Sequence, residues 1–254
     1  MTLDEVIYLA ENGDFQAILT LGNFYFENEK HAEAAKWFAT AADSDEATIY
    51  AATMAILSNA IKAHAEQGIG SLSNAFHTWQ KVRSWCFNLL NTPTTPTENK
   101  KIALENLATS AYGMAYCLYG NNQINDALNV LETAIKQDSA TDEINILYGV
   151  CLVDSNSQLY CTDPNLAFSK AYPYLKVIET TSADIDDTIA ALALYSLGII
   201  YRMSDIPDTP INIEASYECI KRISSISESM GELANQDLKN YKRNAYGKLV
   251  YCGN

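Results

Sequence analysis

Residues 14–43 read DFQAILTLGNFYFENEKHAEAAKWFATAAD, two short helical patterns joined by a polar turn. In the first, Ile18, Leu21, Gly22 and Tyr25 fall at i, i+3, i+4 and i+7, one face of an α-helix. A glycine inside a helix costs about 1 kcal/mol relative to alanine, so Gly22 implies that another helix must come close there. Asn28-Glu29-Lys30 breaks the apolar period. In the second pattern Ala34, Phe38 and Ala41 form a small–large–small stripe: the alanines admit a neighbouring helix and Phe38 fills the gap between them. One such hairpin cannot bury both of its apolar faces, so it needs further hairpins beside it.

Variants of the unit recur. Ala75, Trp79 and Val82 repeat the second-helix stripe, as do Ala127, Leu131 and Ala134. Tyr112-Gly113-x-x-Tyr116, Leu147-Tyr148-Gly149 and Leu197-Gly198-x-x-Tyr201 repeat the glycine of the first helix. The expected organisation is a leading helix over 2–12 and hairpins near 13–44, 45–91, 98–138, 141–181 and 184–230. A C-terminal capping helix follows over 231–252, carrying Leu233, Leu238, Tyr241, Ala245 and Leu249, with essentially no strand anywhere. Asp43–Glu46 offers an N-cap and early acids to the helix after the first hairpin, and Pro164 opens another helix at its first turn. Asn91–Thr97 (NTPTTPT) cannot be helical, and reads as an inter-repeat loop or as a domain linker.

Leu21-Gly22-x-x-Tyr25 followed by Ala34, Phe38 and Ala41 resembles the tetratricopeptide (TPR) repeat, and Ala35-Lys36-Trp37-Phe38 with Ala41-Ala42 is similar to the related SEL-like repeat. The helix-ending proline usual in the TPR is absent, since Glu46 stands there. The resemblance implies an all-α, right-handed solenoid of antiparallel helical hairpins over 1–254, as against an ordinary helical bundle. It also implies binding through a concave groove lined by the first helix of each hairpin. The glycine register then places Leu19, Asn23 and Phe26 on that groove, followed by Ser110, Met114 and Cys117, Ile146, Val150 and Val153, and finally Tyr195, Ile199 and Arg202. TPR proteins that clamp a C-terminal carboxylate need a lysine where Leu19 stands, although Asn23 matches one of their positions.

The net charge of −14 disfavours nucleic acid and anionic membrane as partners and favours a basic one. The N-terminus is acidic and lacks the regions of a signal peptide, and the apolar stretch near Ile189–Tyr201 is too short to span a bilayer. The expected location is the cytoplasm. The cysteines at 86, 117, 151, 161, 219 and 252 have no regular spacing and no CxxC, which reads as free, mostly buried thiols.

Chemistry is not written in the chain. His31, His64 and His77 lie at no metal-ligand spacing, and no HExxH, GxSxG, Walker A or GxGxxG occurs. Asp154-Ser155-Asn156-Ser157-Gln158 starts like a calcium loop but lacks its sixth-position glycine, and Asp184, Asp186 and Asp187 suit a helix N-terminus. Residues 179–218 hold eight acids and one base, Arg202, whereas Lys239, Lys242, Arg243 and Lys248 near the end have no acid among them; this suggests a solvated surface or docking of the basic segment on an acidic one. The expectation is a protein- or peptide-binding scaffold, not an enzyme, without cofactor or metal, whose partner carries apolar anchors and basic flanks. Alternatives are a cytosolic peptide receptor or secretion-type chaperone that sequesters an apolar segment, and an acidic inhibitor of a basic toxin or nuclease.

Overall fold

The hairpin expected at 14–43 forms as α2 (Phe15–Glu27) and α3 (His31–Ala42) in the computed structural model, which describes residues 1–137, 140–155, 164–203 and 211–253. The chain divides into two compact units, Met1–Gln123 and Ile124–Asn254. The first contains α1 (Leu3–Glu11), α2, α3, α4 (Ile49–Gly68), α5 (Leu72–Asn91) and α6 (Thr97–Gly120). Each helix packs on the next, and α6 also lies against α4. The second contains α7 (Ile124–Lys136), α8 (Asp142–Ser155), α9 (Pro164–Leu175) with a 3-10 turn over Lys176–Glu179, α10 (Asp187–Arg202), α11 (Ile213–Ile226) and α12 (Glu228–Leu238), then strands β1 (Tyr241–Arg243) and β2 (Leu249–Tyr251).

The small–large–small stripes are the core. Ala34, Phe38, Ala41, Ala75, Trp79, Val82, Ala127, Leu131 and Ala134 are all fully buried. Complete burial of a side chain the size of Leu or Phe stabilises by about 1.5–3 kcal/mol, so these positions carry much of the packing energy. The register glycines meet the large members. A Cβ on Gly22 would lie 2.7 Å from Phe38 Cε1, one on Gly149 2.9 Å from Leu175 Cγ, and one on Gly198 2.8 Å from Ile220 Cδ1. First and second helices therefore nearly touch in α2/α3, α8/α9 and α10/α11.

Four helices end in the same reversal. Gly13, Glu29, Gly70 and Asn122 have φ of +88°, +59°, +75° and +59°. The next residue donates its N–H five residues back, in Asp14→Leu9, Lys30→Tyr25, Ser71→Glu66 and Gln123→Leu118, at 2.8–3.0 Å. This is the bonding of a Schellman turn, and it satisfies carbonyls that a helix end leaves free. Glu29 and Asn122 show that the turn tolerates a side chain at the left-handed position, at a cost of roughly 1–2 kcal/mol.

The 91–97 segment joins α5 to α6 within the first unit, in keeping with an inter-repeat loop, and the division between the units falls inside the expected 98–138 hairpin. Packing explains this: Gly113 and Gly120 of α6 lie on Trp79 and Leu72 of α5. The cap of α4 is Thr48, whose side chain accepts from Ala51 N, rather than a residue of Asp43–Glu46. Pro173 sits inside α9, which gives way to the 3-10 turn two residues later.

The C-terminal helix ends at Leu238 instead of running to 252. Beyond it, β1 and β2 pair antiparallel with Tyr241 opposite Tyr251 and Arg243 opposite Leu249. Asn244 turns the chain, since its Oδ1 accepts from the N–H groups of Tyr246 and Lys248 at 3.0 and 3.1 Å. Gly247 completes the loop at φ +76°. An Asn side chain bonded to the backbone ahead of it, with a glycine in the left-handed region, overrides the helical spacing of Tyr241, Ala245 and Leu249.

Candidate functional site

In the first unit, Leu19, Asn23 and Phe26 lie on one face of α2 and each stays partly exposed. Tyr50, 47% exposed at the start of α4, donates its hydroxyl to Asn23 Oδ1 at 2.5 Å. Tyr50, Met54, Leu57 and Ile61 follow at i, i+4, i+7 and i+11 along α4, a second stripe that keeps some exposure and meets the α2 stripe at that bond. Phe26 is also packed: its ring stands edge-on to His31 at 5.3 Å and to Phe38 at 6.4 Å.

Ser110, Met114 and Cys117 are not on an open face. All three are buried, because α6 is covered by both α4 and α5. Gln67 of α4 donates to Gly113 O at 3.2 Å and reaches Cys117 Sγ at 3.6 Å, while Asn99 at the start of α6 donates to Thr53 Oγ1 at 2.8 Å. These bonds join start to start and end to end, so α4 and α6 run in the same direction.

In the second unit Ile146 and Val150 are likewise core residues, 0% and 1% exposed. Helices α7, α9 and α10 all pack on α8, which leaves it little free face. Val153, Tyr195 and Ile199 keep partial exposure. Arg202 is a structural residue. Its Nη1 donates to Asp237 Oδ2 at 2.5 Å and to the Tyr241 hydroxyl at 3.2 Å, and its guanidinium stands 4.3 Å over the Tyr251 ring. Asp237 also accepts from the Tyr251 hydroxyl at 2.9 Å, and Ser216 Oγ lies 2.7 Å from the Tyr241 hydroxyl. The network fastens the β-hairpin onto α10, α11 and α12. Burial alone would lower the Arg202 pKa, but its bonds to Asp237 and Tyr241 outweigh that and raise it. The basic residues of this segment, Lys239, Lys242, Arg243 and Lys248, are exposed.

A second feature of the first unit is a polar cleft of about 520 Å³ between α3, α4 and α5. Lys36, Thr40 and Asp43 line it from the α3 side, Asn59, Lys62 and Glu66 from α4, and Asn74, His77, Thr78 and Lys81 from α5. Its acids are engaged internally. Asp43 accepts from Trp85 Nε1 at 2.8 Å and meets Lys81 Nζ at 3.6 Å; Glu66 accepts from Thr78 Oγ1 at 2.8 Å and meets Lys62 Nζ at 3.6 Å. Asn59 is 4% exposed and donates both amide hydrogens, to Ala35 O at 3.1 Å and Ala55 O at 3.0 Å. The signal for the cleft lay in the spacing of 36/40/43, 59/62/66 and 74/78/81, three polar stripes at i, i+3 or i+4, and i+7 on successive helices.

Burial pushes the thiols of Cys86, Cys151 and Cys219 up to about 12 and that of Cys117 to about 11, so none of them is a ready nucleophile. Cys252 is exposed, and Cys161 lies outside the described residues. Asp186 caps α10, accepting from Thr188 N and Ile189 N at 3.0 and 3.2 Å. The loop that starts like a calcium site lies outside the described residues beyond Ser155. Among the described residues no group of three or more His, Cys, Asp or Glu is placed to hold a metal ion, and no helix is long and apolar enough to cross a membrane.

No protein-family model matches the chain, and no curated protein matches it.

Proposed function

We propose that each unit is a TPR- or SEL-like, right-handed stack of helical hairpins, and that the protein is a cytoplasmic protein- or peptide-binding scaffold rather than an enzyme. The observation that carries the binding reading is the pair of partly exposed stripes in the first unit, Leu19, Asn23 and Phe26 on α2 and Tyr50, Met54, Leu57 and Ile61 on α4, joined by the Tyr50–Asn23 bond. Aromatic and aliphatic side chains at helical spacing, interrupted by an amide, suit a peptide segment with apolar anchors. Met54 adds a side chain that adapts to more than one ligand. Basic flanks on the partner follow from the net charge of −14.

Selection from a displayed peptide library on the immobilised protein tests this. Enriched peptides should pair one or two large apolar residues with Lys or Arg. Tyr50→Ala should weaken a selected peptide by about 1–3 kcal/mol, since Tyr50 is exposed enough to be lost without unfolding the chain. Absence of enrichment, or a Tyr50→Ala variant that binds as tightly as the parent, rejects the reading.

A further inference from the structure

The cleft between α3, α4 and α5 is built from other side chains than the apolar stripes, and its chemistry is of the opposite kind. Three lysines converge on it. Lys62 and Lys81 each approach a carboxylate at 3.6 Å, but both carboxylates already accept a shorter bond from inside the protein, from Thr78 and Trp85. Lys36 stands 4.9 Å from the Trp37 ring and forms no ion pair among the described residues. An ammonium has three donors, so all three lysines retain hydrogens for an outside acceptor.

The floor adds one acceptor. Both amide hydrogens of Asn59 are spent on Ala35 O and Ala55 O, which fixes the orientation of the group. Its Oδ1 accepts no bond among the described residues; the residue is 4% exposed and lines the cleft, and this oxygen is not among the fully buried ones. A carbonyl oxygen at the floor of a cleft, held in place by its own amide and without a protein donor, is a group that a ligand can reach and satisfy. A simple anion would use the lysines and leave this oxygen unpaired. A ligand carrying both carboxylates and N–H groups uses all four.

We propose that this cleft binds an acidic peptide segment, with a backbone N–H donated to Asn59 Oδ1 and side-chain carboxylates on Lys36, Lys62 and Lys81. This goes beyond the scaffold reading, because it assigns a second site with its own ligand class. The volume of about 520 Å³ falls in the range of roughly 300–1,000 Å³ typical of ligand pockets. The net charge of −14 does not forbid an acidic ligand: at physiological salt the Debye length is about 8 Å, so distant acids are screened while lysines in contact are not.

The test is fluorescence anisotropy on the full chain near 0.15 M salt, roughly physiological, with a fluorescein-labelled octaglutamate peptide. Octaglutamine and a backbone N-methylated octaglutamate serve as comparison probes, with inorganic phosphate as competitor. Octaglutamate should bind at least tenfold more tightly than octaglutamine. The Lys36→Gln/Lys81→Gln variant should lose at least tenfold while its far-UV dichroism stays unchanged, and Lys242→Gln/Lys248→Gln, in the β-hairpin, should bind as the parent does. Should the cleft double variant lose helix, Lys36→Gln alone, at an exposed residue, gives the same reading with a smaller loss. The N-methylated peptide should bind several-fold more weakly, because it offers no N–H to Asn59. Equal binding of octaglutamate and octaglutamine, or indifference to the lysine substitutions, overturns the site. Equal binding of the N-methylated peptide, or displacement by phosphate at the peptide's own concentration, overturns the peptide and leaves only an anion site.

Discussion

Gly22 offers the sharpest test of the packing. Substituting alanine would place a Cβ 2.7–2.9 Å from Cε1, Cδ1 and Cζ of Phe38. That ring is fully buried and meets Phe26 and Tyr50 edge-on at 6.4 Å, so it cannot swing aside. Two terms oppose each other. Removing a glycine from a helix interior favours folding by about 1 kcal/mol. Overpacking a filled core costs about 1–3 kcal/mol. The balance is a net loss of roughly 0–2 kcal/mol for Gly22→Ala and more for Gly22→Leu, which gains propensity equally but inserts three further carbons. Gly68, at the end of α4, supplies the reference, because a Cβ added there would meet no atom within 4 Å: Gly68→Ala should be neutral or stabilising by up to about 1 kcal/mol. Gly198→Ala should fall between them, because its nearest neighbour is the tip of the flexible Ile220 side chain at 2.8 Å. Urea melts followed by far-UV dichroism measure the order through the midpoints at constant slope. If Gly22→Ala proves more stable than Gly68→Ala, the close approach of α2 and α3 is wrong, and with it the register assigned to this hairpin.

Two other expectations follow from the side chains. Arg202→Gln strips the charge partner from Asp237, which is only 9% exposed in its side chain, and should destabilise the second unit by about 2–4 kcal/mol; adding Asp237→Asn should recover part of the loss, and a single variant that melts like the parent would show that the hairpin is held by apolar packing alone. Among the five described cysteines Cys252 should alkylate first in the native protein at pH near 8, since burial pushes the thiols at 86, 117, 151 and 219 to about 11 or 12; peptide mapping that finds any of those four labelled ahead of Cys252 would contradict their burial.

Where a signal was local and periodic, it could be read from the chain. The stripe Ala34, Phe38, Ala41 and its two counterparts are fully buried, and the glycines at 22, 149 and 198 meet the large residue of the following helix. The same logic failed on the groove because it projects one helix at a time. Glycine register places Met114, Ile146 and Val150 on one face of their helices, but exposure depends on how many neighbours cover that face. Helix α6 is covered by α4 and α5, and α8 by α7, α9 and α10. On α2, by contrast, all three register positions stay partly open. The β-hairpin was missed for a different reason: Tyr241, Ala245 and Leu249 fit a helical period, while the decisive residues, Asn244 and Gly247, act through one side-chain group and one backbone angle rather than through hydrophobicity. Arg202 illustrates the remaining gap. Its register pointed outward, and what turned it inward was Asp237, thirty-five residues later, on a helix whose end the period misplaced. The polar cleft stood between these extremes. Its three stripes were present at helical spacing, but polar residues at that spacing normally mark a solvated face. Only the burial of Asn59 distinguishes this one, and burial of a single amide is a property of three packed helices, not of any one of them.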